Sequence, residues 1–363
     1  SETSIGNNAF EGCSRLKNIV IPDNVIIIGD AAFCNCENLS EITIPNNITN
    51  IGKEAFLGTA WYNNQSDGMV FAGKVLYGYK GVMPENTSIE IPFGTISIGN
   101  SAFYDCSNLT NVTIPNSVKY IGKRAFRNCT NIDNILIPDS VTAIGDSAFV
   151  YCTSIDNVVI PNSVTTIGEN IFGHCTSLKN ITIPDSITDI SYGTFSDCTN
   201  LENIAIPDGV TNIGEYAFYG CENLKNINIP NGVKSIKEST FNGCKSLINI
   251  TIPEKVTNIG DYAFTDCESL VSLVIPNRVK KIGYRAFENC SALETITIPN
   301  SVTSILESAF DGCKNLTIMG YKNSVAENYA KENEINFIEL IKKIITGDAD
   351  ENEIVDVNDV TYL

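Results

Sequence analysis

The fold is decided by the stretch Ile137-Pro138-Asp139-Ser140-Val141-Thr142-Ala143-Ile144-Gly145-Asp146-Ser147-Ala148-Phe149-Val150-Tyr151-Cys152, because close copies of it recur along the chain. Its cysteine recurs every 23 residues from Cys106 to Cys313, and its phenylalanine recurs at the same interval from Phe103 to Phe310. A fixed period of about 20 to 50 residues is typical of a solenoid, in which each unit buries its apolar side against its neighbours. The chain is therefore predicted to be a stack of short repeats.

The first part of each unit has strand periodicity. Ile181 and Ile183 are apolar residues two positions apart, which is the spacing of one face of a β-strand. Pro184 then ends the strand, because it has no N–H for the ladder and its φ suits a turn. Equivalent strands of successive units are expected to pair in parallel and in register, about 4.8 Å apart.

The second part of each unit has a different pattern. Val164 and Ile167 suggest a second short strand, which Gly168 ends. Phe126 and Cys129 lie three residues apart, the spacing that brings side chains to one side of a helical turn. Each unit is therefore predicted to hold one parallel strand, a second short strand and a short helical turn.

Charge and composition exclude several classes of function. The chain has 363 residues and a formal net charge of −18, so nucleic acid and anionic membranes would repel it. Its single histidine, His174, rules out a zinc site of the HExxH type and any multi-histidine metal centre. No nucleophile elbow or phosphate-binding loop is found in a suitable context. The sequence predicts a protein that is not an enzyme, does not bind nucleic acid and does not insert into membranes.

The 13 cysteines follow the repeat and do not indicate redox chemistry. All but Cys34 occupy the same position of the repeat, and we call this row of residues the cysteine ladder. We expect the ladder cysteines to be small buried residues. Thr59 replaces the cysteine in the irregular unit, which suggests a requirement for volume. Cys34 is the one cysteine that we expect reagents to reach.

The repeat is interrupted at residues 57–91. Phe56 and Phe103 are 47 residues apart, which is two periods plus one residue. Gly68–Tyr79 has the pattern of two strands joined by an Ala72-Gly73 turn, so we predict a β-hairpin that projects from the solenoid.

The insert holds a dense set of aromatic residues. We interpret them either as a contact patch for a protein or glycan partner or as rings that fill the space of the missing unit, and we favour the second interpretation. The residues are Trp61, Tyr62, Phe71, Tyr77 and Tyr79.

Asparagines share one phase on the predicted exposed side of the strands. They could form a polar surface for an extended ligand, or a stack of amides that satisfies itself and the adjacent turns, and we favour the stack. The residues are Asn18, Asn111, Asn134, Asn157, Asn180, Asn203, Asn226 and Asn249.

The repeat pattern changes at Leu316. Ser324 and Glu327 form a capping box at the start of an amphipathic helix. We assign residues 1–338 to the solenoid, with 316–338 as its C-terminal cap and 339–346 as a linker. The chain begins inside a repeat and shows no signal peptide, so we interpret it as part of a longer exported protein.

Residues 347–363 carry oxygen ligands at the spacing of a calcium loop. From position 1 to 12 the candidate ligands are Asp348, Asp350, Asn352, the carbonyl of Ile354, Asp356 and Asp359. Position 6 is Glu353 where glycine is usual, and this should weaken Ca²⁺ binding. The alternative is an acidic disordered tail.

The 23-residue phrase, as in Ile137–Cys152, resembles the BspA-like branch of the leucine-rich repeat superfamily over about residues 4–338. The resemblance implies a right-handed β/α solenoid in a bacterial protein that is secreted or attached to the cell surface. Some members of that family are adhesins for extracellular-matrix proteins. The many free thiols hint at an anaerobic habitat.

The C-terminal loop resembles the first half of a dockerin, a module that binds the cohesin module of a scaffold protein. The resemblance implies that Val357 and Asn358 contribute to that contact, and the second calcium loop of a dockerin is missing. We expect a non-enzymatic binding protein that recognises a protein or glycan ligand through the solenoid and attaches to a scaffold through cohesin. The alternative is an accessory or spacer module of a larger polysaccharide-degrading enzyme of the cellulosome type.

Overall fold

The structure is a computed structural model that describes residues 3–341. Each 23-residue unit adds a strand before its proline, a second strand before its glycine, and a turn segment that contains its phenylalanine and cysteine. The stacked units form a leucine-rich-repeat type β-solenoid made mostly of strands. The predicted repeat architecture is confirmed, and its handedness stays a prediction.

Two helices are present among residues 3–341, α1 (Ala60–Asn63) and α2 (Val325–Glu332). In chain order the strands are β1 (Thr3–Ile5), β2 (Asn18–Val20), β3 (Val25–Ile28), β4 (Glu41–Thr43), β5 (Asn50–Ile51), β6 (Gly68–Ala72), β7 (Val75–Lys80), β8 (Thr87–Glu90), β9 (Ser97–Ile98), β10 (Leu109–Thr113), β11 (Tyr120–Ile121), β12 (Asn134–Ile135), β13 (Ala143–Ile144), β14 (Asn157–Val159), β15 (Thr166–Ile167), β16 (Asn180–Thr182), β17 (Asp189–Ile190), β18 (Asn203–Ile204), β19 (Asn212–Ile213), β20 (Asn226–Asn228), β21 (Asn249–Thr251), β22 (Asn258–Ile259), β23 (Ser272–Val274), β24 (Lys281–Ile282), β25 (Thr295–Thr297), β26 (Ser304–Ile305), β27 (Thr317–Gly320) and β28 (Asn336–Glu339).

The strands form two parallel series in the predicted register. In the first series, which precedes the prolines, Asn111 of β10 pairs with Asn134 of β12, one period later. In the second series, Tyr120 of β11 pairs with Ala143 of β13. This register follows from the repeat itself, because a slip of one residue would turn every buried isoleucine outward.

Phenylalanine rings stack along the core. Neighbouring rings of the ladder are nearly parallel, with centroids 5.1 Å apart for Phe10 and Phe33 and 6.1 Å apart for Phe172 and Phe195. From Phe33 to Phe287 every ladder ring is fully buried. The solenoid is held together by apolar contacts between successive units.

The predicted helical turn is wrong. No helix occurs in the regular units of residues 3–341; the turn segment is a series of turns that bonds to the next unit. The N–H groups of Phe33 and Asn35 donate to the carbonyls of Ala55 and Leu57 at 2.8 Å, while Cys36 N–H donates back to Phe33 within its own turn. A helix would use all these donors internally, and here every second donor joins two units.

Left-handed residues make these turns possible. The position two after the ladder phenylalanine has positive φ in every unit, and it is glycine, asparagine or aspartate in all but two. The exceptions are Tyr151 and His174, whose rings stack with centroids 4.3 Å apart. Residues with positive φ cannot continue a right-handed helix, which is the physical reason why the helical prediction fails.

The ladder cysteines donate hydrogen bonds as well as filling space. In ten of the twelve, Sγ lies 2.9–3.3 Å from the carbonyl oxygen of the phenylalanine 26 residues earlier, in the preceding unit. The interpretation that only volume matters was therefore incomplete. The donors are Cys36, Cys129, Cys152, Cys175, Cys198, Cys221, Cys244, Cys267, Cys290 and Cys313.

The prediction for Cys34 is wrong. Cys34 is only 7% exposed, and burial together with Glu11 and Glu54 raises the pKa of its thiol. Cys13, on the outer side of the first unit, is the exposed cysteine of residues 3–341, and Cys106 is half-buried. The two ladder thiols that are not buried thus lie in the first unit and in the first regular unit after the insert.

The insert contains the predicted hairpin, but the hairpin does not project from the solenoid. β6 and β7 pair antiparallel around a turn at Gly73 and Lys74, and β7 joins the second strand series by pairing with β9. Ala72 and Val75 are fully buried. The hairpin takes a place in the stack because its apolar side chains cover the exposed core of the preceding unit.

Tyr77 replaces a backbone group of the missing turn segment. In a regular unit the phenylalanine N–H donates to the next unit; at Phe56 it donates to the Tyr77 hydroxyl at 3.0 Å. The two rings are T-shaped, with centroids 5.3 Å apart. Burial raises the pKa of Tyr77 well above its usual value. The insert thus ends one stretch of stacked core, and the buried residues form separate clusters on either side of it.

At the C-terminal end, too, a tyrosine packs T-shaped on the last phenylalanine of the stack. The predicted capping box is present: the Ser324 side chain accepts from the Glu327 N–H at 3.2 Å, and α2 follows. Tyr329 of α2 packs T-shaped on Phe310, with centroids 5.7 Å apart, and burial raises the pKa of Tyr329. α2 covers the last unit as a tyrosine-bearing cap.

Candidate binding surfaces

The outward side of the first strand series is the most regular exposed surface of the protein. Over nine successive units it carries two rows of side chains, which together we call the strand face; the residues between the rows, such as Ile181, are buried. The first row is Asn111, Asn134, Asn157, Asn180, Asn203, Asn226, Asn249, Ser272 and Thr295. The second row is Thr113, Leu136, Val159, Thr182, Ala205, Asn228, Thr251, Val274 and Thr297.

None of the side chains of the strand face is charged, although the chain carries 42 acidic and 24 basic residues. The charges lie at the position just before the first row, where six of nine residues are Asp, Glu or Lys. They are Asp133, Asp156, Lys179, Glu202, Lys225 and Glu294. Over these nine units the strand face is therefore a neutral strip bordered by charges. The same strand series carries Glu41 on β4 and Glu90 on β8, before the nine units begin.

Two asparagines of the predicted amide stack hydrogen-bond to each other. Asn180 Nδ2 donates to Asn157 Oδ1 at 2.8 Å. Within residues 3–341, the side-chain amides of Asn203, Asn226 and Asn249 have no hydrogen-bond partner in the protein. In this part of the strand face the amides are free to bond to water or to a ligand.

These three amides line a shallow groove. The groove over Asn203–Thr251 has a volume of about 440 Å³. A second groove of about 440 Å³ continues to Thr297 and shares Asn249 and Thr251 with the first. An extended ligand could thus contact several successive units without a deep pocket.

The aromatic residues of the insert divide into two groups. Tyr77 is buried, and Trp61 packs on Phe56 with ring centroids 4.9 Å apart, so these rings fill the space of the missing unit, as we favoured. Phe71 is half-buried against the core. Tyr62 and Tyr79 are also half-buried, but they line an open cleft.

This insert cleft lies on the side of the turn segments and has a volume of about 220 Å³. Its walls include Tyr62, Tyr79 and Tyr104, and Lys53 and Glu54 form an ion pair of 3.0 Å at its edge. The aromatic pattern of the insert did not reveal Tyr104, which belongs to the next regular unit. The sequence could have pointed to Tyr104, because it lies in the first turn segment after the interruption and that segment must face the insert.

His174 is half-buried, and its partner is not Cys175. Its ring stacks on Tyr151, and its Nδ1 lies 3.2 Å from Asp197 Oδ2. Cys175 is fully buried and donates to the Phe149 carbonyl at 3.1 Å. A Cys–His pair is therefore absent at this position.

The predicted calcium ligands lie outside the described residues, as do Val357 and Asn358. Within residues 3–341, no group of three or more His, Cys, Asp or Glu side chains could hold a metal ion. The same residues contain no helix that is long and apolar enough to cross a membrane.

Comparisons with known proteins place this fold in a family. The sequence profile of the BspA type leucine rich repeat region matches six copies, at residues 3–65, 79–202 and 188–317. No curated protein is significantly similar to the chain.

Solved structures of similar fold are known. A leucine-rich repeat protein from Bacteroides ovatus is 35% identical, with a TM-score of 0.67 over 93% of this chain and 87% of that one. A leucine rich cell surface protein from Faecalibacterium prausnitzii is 28% identical over 90% of this chain and 92% of that one, with a TM-score of 0.43. A leucine-rich repeat protein from Eubacterium ventriosum is 27% identical over 82% of this chain and 83% of that one, with a TM-score of 0.49. None of these names describes an enzyme. The chain belongs to the BspA-type leucine-rich repeat family.

Proposed function

We propose that this protein is a secreted or cell-surface binding protein and that the strand face is its main ligand-binding surface. The observation that carries the proposal is the absence of charge from 18 outward positions on nine successive units. The centres of binding interfaces are depleted in charged residues in the same way.

Stacking alone does not explain this neutrality. Like charges that face each other in register repel, so a ladder of one charged residue would be unstable. Alternating charges avoid the problem: Lys225 Nζ bonds to Glu202 Oε2 at 2.9 Å at the border of the strand face. Since the border position carries charges at the same stacking distance, the neutral rows are not a requirement of the fold.

The free amides and hydroxyls indicate an uncharged, extended ligand rich in hydrogen-bonding groups. Asparagine side chains both donate and accept, and threonine hydroxyls do the same. Exposed apolar residues such as Leu136, 76% exposed, and Val159 add contact area in the same rows. A neutral polysaccharide or the backbone of an extended protein segment has this chemistry.

The experiment is a binding array of neutral glycans and extracellular-matrix proteins, followed by a variant of the groove. We expect Asn203→Ala, Asn226→Ala and Asn249→Ala together to weaken binding of the identified ligand at least tenfold. Each loses a hydrogen bond worth about 1 kcal/mol. Asn258→Ala, on a strand of the second series, is the matched control and should bind normally. Unchanged binding by the triple variant would refute the proposal.

We further propose that residues 347–363 attach the protein to a cohesin-bearing scaffold through calcium. The support is the ligand spacing from Asp348 to Asp359. In calcium titration calorimetry of the whole chain we expect weak binding that Asp348→Asn with Asp359→Asn abolishes. An equal heat of binding in the variant would contradict a calcium loop at this position.

A further inference from the structure

The insert leaves a gap in a ladder of backbone hydrogen bonds. In regular turn segments, alternate N–H groups donate to carbonyls of the next unit: those of Ser101, Phe103 and Asp105 do so at 2.8–2.9 Å. The insert supplies a helix and a hairpin but no turn segment at this place. The N–H groups of the preceding turn segment therefore lack the turn-segment carbonyls that accept from them in a regular unit.

Two backbone donors are left open as a result. In the unit before the insert the equivalent N–H groups belong to Glu54, Phe56 and Gly58. The Phe56 N–H has the Tyr77 hydroxyl as acceptor. Among residues 3–341, the N–H groups of Glu54 and Gly58 have no acceptor, and both residues have positive φ, 60° and 76°. Their equivalents in the other interior units point at the next unit. For Glu54 that space is the insert cleft, because Glu54 is one of its lining residues, whereas Gly58 is not.

Aromatic side chains form much of the cleft that Glu54 lines. Tyr62, Tyr79 and Tyr104 line the cleft, and Tyr104 is 38% exposed. Lys53 Nζ lies 5.8 Å from the centre of the Tyr104 ring and pairs with Glu54. The cleft thus offers ring faces, hydroxyls, one open amide donor and a carboxylate, with little net charge.

We propose that the insert cleft binds one ring of a neutral saccharide. A sugar ring has hydroxyls that accept from the open Glu54 N–H and donate to the Glu54 carboxylate, and a C–H face that packs on tyrosine, whose ring face is electron-rich. The volume of 220 Å³ suits one ring, because sites for drug-sized ligands occupy about 300–1,000 Å³.

Other occupants fit less well. An anion would gain no net attraction, because the Lys53 ammonium is already paired with Glu54. An apolar side chain would leave the amide and the hydroxyls without partners, which is costly in a desolvated site. An extended peptide could not reproduce the ladder, because Tyr77 already holds the acceptor position at Phe56. This proposal is independent of the strand face, which lies on another side of each unit.

Trp61 makes the test direct. It is the only tryptophan of the chain and packs on Phe56 beside Tyr62. We would titrate the whole chain with the methyl glycosides of glucose, galactose, mannose, xylose and N-acetylglucosamine. The readouts are Trp61 emission and saturation-transfer difference NMR. At least one glycoside is expected to bind saturably and to shift the emission.

A variant pair assigns the site. Tyr104→Ala removes a wall that is partly exposed, so the fold should be kept, as circular dichroism will show, and affinity should fall at least tenfold. Tyr192→Ala removes a tyrosine that is 46% exposed four units further along and should bind as the wild type does. The proposal is overturned if no glycoside of the panel binds, or if Tyr104→Ala retains the wild-type affinity.

Discussion

At about pH 9.5 the solenoid is expected to unfold far more readily than at about pH 7.5, because its core contains a ladder of buried thiols. Burial is the largest cause that raises the pKa of most of them, and the pKa of Cys175, for example, rises to about 12. Burial raises the pKa far above its usual value for five consecutive thiols, Cys152, Cys175, Cys198, Cys221 and Cys244.

The direction follows from the order of the two pKa values. A cysteine of the unfolded chain titrates near about 8.5, below the folded value. The stability contributed by the buried neutral thiol is complete below about pH 8.5 and is lost as the pH rises from there towards the folded pKa. One pH unit above 8.5, each thiol has lost about 1.4 kcal/mol, so the five together lose about 7 kcal/mol. This is comparable to the whole stability of a typical domain, about 5–15 kcal/mol.

Thermal and urea unfolding at the two pH values, followed by circular dichroism, measure this effect. Tyrosine and lysine residues also titrate in alkaline solution, so a matched variant is needed. Cys198→Ser, Cys221→Ser and Cys244→Ser together keep a small hydrogen-bond donor at each position and remove three ionisable thiols. The variant should lose about 4 kcal/mol less between the two pH values than the wild type. Equal losses in the two proteins would show that the thiols do not drive the alkaline transition.

The repeating strands could be predicted from the sequence because their evidence is local. Ile181, Ile183 and Pro184 encode a strand and its end within four residues, and a fixed period then dictates the register of every neighbour. The turn segment could not be predicted in this way. The spacing of Phe126 and Cys129 suits a helix, but the backbone donors of this segment bond to the next unit, and a spacing within one unit does not show that.

Predictions about the surfaces depended on what each side chain bonds to. The row from Asn111 to Asn249 was visible in the sequence, yet only the structure shows that Asn180 bonds to Asn157 while Asn203 is free. The insert aromatics were correctly expected to fill space at Trp61 and Tyr77. The cleft was missed because it needs Tyr104, which is remote from the other walls in sequence and adjacent only once the units stack.

The strand face could have been recognised by aligning the units. Its second row, from Thr113 to Thr297, contains no charge, and this neutrality is as regular as the asparagine row.

The exposed state of Cys13 and the buried state of Cys34 depend instead on which neighbours cover them. Such coverage is a property of the stack, and a single repeat does not contain it.

Tyr77→Ala is expected to separate the unfolding of the N-terminal units from that of the rest. The buried residues from Ile21 to Tyr77 form one cluster, and those from Leu76 to Ala330 form another. Solenoids are stabilised by contacts between neighbouring units, so a weak boundary lets one side unfold alone. Removing the Tyr77 ring leaves a cavity beside Phe56 and should cost about 3–5 kcal/mol, as large aromatic deletions do.

Two probes can follow the two sides separately. Trp61, the only tryptophan, packs against the N-terminal cluster and reports it by fluorescence, whereas circular dichroism is dominated by the longer C-terminal part. In Tyr77→Ala the fluorescence transition should come at a lower temperature than the dichroism transition. Tyr77→Phe keeps the ring and removes only the acceptor of the Phe56 N–H, so it should cost about 1–3 kcal/mol. Coincident transitions in Tyr77→Ala would mean that the insert couples the two clusters, and that Tyr77 does not act as an internal cap.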